Sequence, residues 1–142
     1  MKDIIRMSHK IRKYYNHLCD DVLEKYNLTK CELDILLFLY NNPELNTAKD
    51  IVDKRGIVKS HASLGIDKLI NKHYIESIRD ENDKRKYHLH LLEDANPIII
   101  DGLKVQKKFN KSLLKGVSKE DKKVMKKIMK QISKNVKEES KC

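Results

Sequence analysis

Apolar residues recur every three or four positions through the first half of the chain, which is the spacing of one face of an α-helix. One such stripe predicts a long first helix over 4–26. Thr29, with Glu32 three residues later, has the spacing of a capping box and predicts where a second helix begins. The same periodicity predicts a short third helix over 47–53 and a fourth helix over 59–73.

The period changes to two after the fourth helix, as in strands with one buried face. Residues 74–79 and 86–91 alternate apolar and polar side chains, and the polar segment 80–85 between them suits a hairpin tip. Asn96 and Ser118 then occupy N-cap positions for two further helices. Three helices followed by a hairpin predict a mainly α fold with a small β-hairpin, the winged helix-turn-helix.

The first helix and the last two helices carry longer apolar stripes than so small a core can cover. Such stripes are typical of helices that pair with a second copy of the chain. We therefore expect one domain over 1–142, in which residues 1–27 and 96–142 form dimerisation helices. Residues 28–95 would form the winged helix-turn-helix.

Length and composition exclude several classes of protein. The chain has 142 residues, close to the size of one domain. Its longest apolar run, 35–40, is far shorter than the roughly 20 residues that a bilayer span needs, so no membrane helix is expected. The N-terminus becomes charged before a signal-peptide core could form, so we expect a cytoplasmic protein. Cys19, Cys31 and Cys142 lack C-x-x-C spacing and fit reduced thiols.

The net charge of +10 is concentrated at the C-terminal end. Residues 1–103 contain 17 basic and 17 acidic side chains, whereas 104–142 contain 14 lysines and 4 acids. Such a block can attract DNA, or it can be the solvated face of a helical pair. One alternative function is therefore a basic architectural nucleic-acid-binding protein that acts through its lysine-rich C-terminal helices.

A family pattern is visible at the hairpin. Residues 83–85 read Asp-Lys-Arg before an alternating strand, which resembles the D-x-R wing signature of the multiple-antibiotic-resistance regulator (MarR) family. The Leu-Thr pair at 28–29 and the segments 59–63 and 67–75 are similar to other motifs of the family, in the same order. The resemblance implies a homodimeric winged-helix regulator, more often a repressor, that binds a pseudo-palindromic duplex. It also implies a small-molecule effector.

Three positions depart from the family pattern. His73 replaces the usual glycine after the recognition helix, which requires an uncommon backbone conformation if the turn is retained. Gly65 lies inside that helix, where it could permit close packing. The usual L-T-x-x-G after the second strand is absent, so Asp94 or Asn96 is expected to cap the fifth helix.

The fourth helix offers groups that suit a DNA groove. With its apolar side chains buried, its outer face carries Lys59, Ser60, His61, Ser63, Leu64 and Lys68. Serine and histidine can bond base edges, lysine can bond guanine or phosphate, and Leu64 can lie against thymine methyl groups. An ordinary solvated face is the alternative interpretation.

The resemblance assigns Arg85 to the minor groove or its phosphates and assigns Asp83 to brace it by a hydrogen bond. A surface ion pair is the alternative. Phosphate contacts are expected from Thr47, Arg79, Lys84 and Lys86.

The regulatory input is harder to predict. The resemblance implies a pocket for small anionic or phenolic ligands, for which the candidates are Tyr14, Tyr15, His17, Tyr26 and Tyr40, although core packing would also explain them. A peroxide-sensing branch of the family uses a reactive cysteine in the first helix. Cys19 lies only nine residues before Leu28, later than expected for that cysteine, which argues against redox sensing. No histidine follows His90, which argues against a zinc site on the fifth helix. No motif of an enzyme or cofactor site is present, so neither catalysis nor a cofactor or metal is expected.

Overall fold

The computed structural model describes residues 2–140, so Cys142 lies outside the described part of the chain. The described residues form two compact units, one ending at Phe109 and one beginning at Asn110. The helices and strands are α1 (Lys2–Tyr26), α2 (Lys30–Asn41), α3 (Ala48–Asp50), a π-helical turn (Ile51–Arg55), α4 (Lys59–Asn71), β1 (Ile75–Arg79), β2 (Tyr87–Leu91), a 3-10 turn (Glu93–Ala95), α5 (Asn96–Leu113) and α6 (Lys119–Glu139).

The predicted fold class is confirmed, because the chain is mainly helical with one two-stranded antiparallel hairpin in the arrangement of a winged helix. In the hairpin Ile75 lies opposite Leu91, and Arg79 lies opposite Tyr87. Only residues 72–74 separate α4 from the hairpin, so the helix and the hairpin belong to one continuous segment. The division into dimerisation helices and a DNA-binding part stays a prediction.

Helix α2 lies at the centre of the first unit. Seven of its residues are buried, and Leu33, Ile35 and Leu36 are fully inaccessible to solvent. They share one core with Leu69 of α4 and Ile75 of β1. Because α4 buries only its inner side on this core, its outer side remains exposed to solvent.

An ion pair with a buried carboxylate connects the start of α2 to the residue that follows α4. Glu32 is only 1% exposed and accepts a hydrogen bond from Lys72 Nζ at 2.8 Å. Its carboxylate also accepts from the main-chain amide of Thr29, which completes the predicted capping box. The residue after Lys72, His73, adopts a positive φ of 61°, as predicted from the missing glycine. The pair therefore connects the residue that follows α4 to the start of α2.

Gly65 permits the close packing expected of it. A side-chain carbon built on Gly65 would lie 2.8 Å from Ile35 Cδ1 and 3.3 Å from Cys31 Sγ. Any larger residue at position 65 would therefore require the buried side chain of Ile35 to shift.

The predicted caps of the last two helices have different outcomes. Ser118 caps α6, since its Oγ accepts a hydrogen bond from the amide of Asp121 at 3.1 Å. The prediction that Asp94 or Asn96 caps α5 is wrong, because Asn96 is itself helical, with φ −55° and ψ −46°. A 3-10 turn precedes it and is closed by the Ala95 amide bonding to Leu92 O at 3.0 Å. None of the described helices combines the length and the apolar content needed to cross a membrane.

We predict that Gly65→Val lowers the free energy of unfolding by about 1–3 kcal/mol, because the added methyl groups overlap Ile35. Urea unfolding followed by circular dichroism measures this change. Asp67→Val places the same side chain at an exposed position of α4 and serves as the control. Equal stability of the wild type and Gly65→Val would contradict the close approach.

Candidate nucleic-acid interface

The outer face of α4 presents every side chain that the sequence predicted for it. Ala62, Ile66 and Leu69 are buried towards the core. The six predicted DNA-binding positions on the helix are all exposed, namely Lys59, Ser60, His61, Ser63, Leu64 and Lys68. Leu64 is 57% exposed although it is apolar. The arrangement is a helix with a mixed polar and apolar face open to solvent, which can contact both base edges and thymine methyl groups.

The N-terminus of α4 is free of side-chain caps. Val58 occupies the cap position and makes no capping hydrogen bond. The first intrahelical bond is donated by the amide of Ala62 to Val58 O at 2.9 Å, so the amides that precede Ala62 have no partner within the helix. Together with the exposed Lys59, this helix end can receive a phosphate.

The hairpin tip is organised by two carboxylates that bond to the main chain. Asp80 Oδ2 accepts from the amides of Asn82 and Asp83 at 2.9 and 2.8 Å. Asp83 Oδ1 accepts from the amide of Arg85 at 3.0 Å. The side chain of Arg85 is 96% exposed, and its Nε lies 3.9 Å from Asp83 Oδ1, beyond hydrogen-bond distance.

The expectation that Asp83 braces the arginine side chain by a hydrogen bond is therefore wrong in its detail. The carboxylate shapes the turn through the main-chain amide of Arg85 and makes only a loose, solvent-exposed ion pair with its guanidinium group, which stays accessible to another molecule.

The three other basic residues predicted to bind phosphates from the wing differ in their contacts. Arg79 Nε donates to Lys84 O at 2.8 Å, and its guanidinium carbon lies 5.9 Å from the centre of the Tyr87 ring. Arg79 therefore holds the two strands together near the tip. Lys84 and Lys86 have exposed side chains that can reach phosphates.

Thr47 lies at the start of α3, as predicted, but its hydroxyl is already engaged. It donates to Asp50 Oδ2 at 2.8 Å and accepts from the Asp50 amide at 3.1 Å. A phosphate contact by this hydroxyl would require that the capping box rearrange.

Sequence reasoning missed the role of His88 in the hairpin. Its Nδ1 lies 2.7 Å from Asn46 Oδ1, and its Nε2 lies 2.7 Å from Asp80 Oδ1. The hydrogen bond from His88, followed by those from Asp83 and Asn82, lowers the pKa of Asp80 to about 2. Because Asn46 is distant in the sequence, no local pattern could have indicated this contact.

The five residues predicted to line a ligand pocket do not gather at one place. Tyr14 and Tyr15 pack against Phe109, with ring centres 5.9 and 5.0 Å apart. Tyr26 donates a hydrogen bond to Asp101 Oδ2 at 2.7 Å. The other two, His17 and Tyr40, are exposed.

A small cavity does adjoin Tyr15. Its volume is about 210 Å³, and its lining includes Asp34, Arg55 and Gln106. Arg55 Nη2 lies 3.3 Å from Asp34 Oδ1, so the cavity wall carries a paired positive and negative charge. Burial raises the pKa of Tyr15 to about 12, so this side chain stays neutral at physiological pH.

The thiols of the described residues are poorly suited to redox sensing. Cys19 is fully buried, and burial raises its pKa. Burial also raises the pKa of Cys31. Since the thiolate is the reactive form, both groups stay in the less reactive state. Within 2–140 no group of three metal-binding side chains comes together.

Comparison with known proteins gives a consistent result. Residues 26–86 match the model of the MarR family. The chain is 24% identical over 108 residues to the HTH-type transcriptional regulator BilQ of Clostridioides difficile (strain CD3), covering 76% of this chain and 72% of that protein.

Solved structures share the fold. A MarR family protein from Listeria monocytogenes, complexed with a 26mer DNA, superposes with a TM-score of 0.87 at 21% identity, covering 98% of this chain and 92% of that chain. A MarR protein from Peptoclostridium difficile superposes with a TM-score of 0.83 at 22% identity, covering 96% and 89%.

The hydrogen bond from His88 predicts how the Asp80 carboxyl titrates. Its pKa lies below the ordinary 3.8, so its hydrogen bonds stabilise the wing tip at neutral pH and are lost as pH falls towards about 2. His88→Leu should raise the pKa of Asp80, as measured by carboxyl carbon NMR shifts against pH. His90→Leu, on the same strand, is the control and should leave it unchanged. An unchanged pKa of Asp80 in His88→Leu would contradict the contact.

Proposed function

We propose that the chain is a member of the MarR family and a sequence-specific DNA-binding transcriptional regulator that binds a pseudo-palindromic duplex as a homodimer. The match of residues 26–86 to the model of that family supports this proposal. The observation that carries this proposal is the exposed outer face of α4, together with a wing whose Arg85 side chain is almost fully exposed. We propose no catalytic role, and we expect the protein to act in the cytoplasm as a repressor.

The proposed contacts divide into base readout and phosphate binding. Ser60, His61, Ser63 and Leu64 would contact base edges from the major groove. Arg85 would enter the minor groove from the wing tip. Phosphates would be bound by Lys59, Lys68, Arg79, Lys84 and Lys86 and by the start of α3 at Thr47, while Asp83 would shape the tip.

Uncovered apolar side chains support pairing with a second copy. Ile4, Ile5 and Met7 of α1 are exposed. On α6 five large apolar side chains are exposed, namely Val124, Ile128, Met129, Ile132 and Val136. The i and i+4 spacing of most of them forms one stripe, which a partner helix with the same pattern can cover. A two-fold axis would place the half-sites about 10 bp, or a multiple of it, apart.

The cavity beside Tyr15 is the proposed effector site. Arg55, which is paired there with Asp34, and the neutral hydroxyl of Tyr15 would bind a small anionic or phenolic ligand that competes with Asp34 for the guanidinium group. Such a ligand would release DNA only by favouring one arrangement of the protein over another. Of the five residues predicted for ligand binding, only Tyr15 lines this cavity.

We predict that Arg85→Ala weakens binding to a selected operator by about 1–3 kcal/mol, since it removes the guanidinium contact. Lys59→Ala should weaken binding similarly across sequences and reduce the salt dependence by about one counterion. The operator is first enriched from a random duplex pool at moderate salt, and affinities are then measured by fluorescence anisotropy.

The control replaces three lysines of α6, Lys123, Lys127 and Lys130, with alanine. On the regulator hypothesis this variant keeps its sequence preference. If it instead loses affinity for all duplexes equally, while Arg85→Ala binds as the wild type does, the architectural function is correct. If the pool yields no enriched sequence, the regulator hypothesis is wrong.

We also predict that Ile128→Glu combined with Ile132→Glu converts the dimer to a monomer, because two carboxylates would be buried without partners. Analytical ultracentrifugation measures the mass in solution. Lys130→Glu, on the charged side of α6, is the control and should remain dimeric. A wild-type protein that sediments as a monomer would exclude pairing.

A further inference from the structure

We propose that His88 is a positioning residue for the wing: by bridging Asn46 and Asp80, it fixes the wing tip relative to the start of α3. Arg85 and the N-terminal part of α3 can then engage one duplex together. The inference rests on the proposed DNA-binding function and extends it to a residue that makes no contact with DNA.

The bridge uses both nitrogens of the imidazole ring. Nδ1 and Nε2 each lie 2.7 Å from a side-chain oxygen, one from Asn46 and one from Asp80. One ring nitrogen can donate to the Asp80 carboxylate while the other pairs with the side-chain amide of Asn46, which offers both a donor and an acceptor. The His88 side chain is only about a quarter exposed, which limits competition from water for these bonds.

Asp80 transmits this bridge to the tip of the hairpin. Its Oδ1 contacts His88, while its Oδ2 accepts from the amides of Asn82 and Asp83. Its own amide donates to Lys86 O at 2.8 Å. The carboxylate therefore holds both sides of the tip, and a displacement of Asp80 would displace the turn that carries Arg85.

Asn46 connects the bridge to the other proposed DNA-binding element. It immediately precedes Thr47, the N-cap of α3. Its main-chain oxygen accepts from the Leu89 amide at 2.8 Å, so the base of β2 is already fixed at this point. The His88 side chain adds a second attachment that reaches from Asn46 to Asp80 beyond the end of β1.

A second attachment matters because a two-stranded hairpin is weakly stable by itself. Ile75 and Leu89 anchor the base of the hairpin in the core, whereas Ile78, Arg79 and Tyr87 near the tip are exposed. Among the described contacts of the tip, those of His88 are the ones that connect it to residues outside the hairpin. Without them, an arginine at the tip would sample many positions, and binding would require that it be ordered.

A double-mutant cycle tests the positioning role. His88→Leu removes both hydrogen bonds and retains a side chain of similar volume. On the selected operator we expect it to weaken binding by about tenfold, within the range of coupled neighbours. In the Arg85→Ala background it should cause no further loss, because the residue that it positions is gone. His90→Leu, which alters the neighbouring exposed histidine, should remain within twofold of the wild type.

The result that would overturn the proposal is an additive pair of losses, or a His88→Leu variant that binds as tightly as the wild type. Thermal unfolding of each variant checks that it is folded. Asn46→Ala removes the other end of the bridge and should reproduce the effect of His88→Leu. It replaces that variant in the cycle if His88→Leu does not fold.

A measurement without DNA separates this proposal from the proposed function. In nitrogen-15 relaxation of the free protein, the amides of Asn82 and Asp83 should be ordered in the wild type, with order parameters near 0.85. They should fall below about 0.6 in His88→Leu. Unchanged order parameters would refute the bridge even if the protein binds DNA. If the pool yields no operator, the proposed function fails, while the relaxation data still decide whether His88 holds the wing.

Discussion

The burial of α2 on nearly all its sides is the constraint on which the rest of the first unit depends. A helix so fully enclosed has to be covered by other elements, and α4 and the hairpin supply part of this cover. The close approach at Gly65 and the pair of the buried Glu32 with Lys72 then hold α4 and the residue that follows it against α2. The opposite face of α4 remains exposed to solvent, and the buried face determines which residues it presents.

The wing follows a different principle, because polar contacts rather than apolar burial determine its tip. The carboxylates of Asp80 and Asp83 accept hydrogen bonds from main-chain amides, and Arg79 donates one to a main-chain oxygen. Acidic side chains in this segment therefore serve the local structure, while Arg85 extends into solvent. A loop that contains charges of both signs thus exposes a guanidinium group whose one ion pair among the described contacts is loose.

Features determined by neighbours in sequence could be predicted, whereas features that join distant segments could not. The caps at Thr29 and Ser118 follow from short spacings, and the positive φ of His73 follows from the turn that it must make. The prediction that Asp94 or Asn96 caps α5 was wrong because a 3-10 turn, and not a side-chain cap, precedes this helix. The His88 contact with Asn46 and the separation of the five ligand candidates depend on tertiary packing, which the periodicity of the sequence does not reveal.

The uncovered apolar stripe of α6 has a consequence for how the protein would respond to its own abundance. If two chains cover the stripe by pairing, dilution dissociates the pair by mass action and exposes the apolar stripe on each chain. At low copy number the concentration of the dimer then grows with the square of the concentration of chains. If the protein binds DNA as the proposed dimer, newly made chains would accumulate past a threshold before they occupied the DNA site, and the onset of binding would be steeper than that of a monomer.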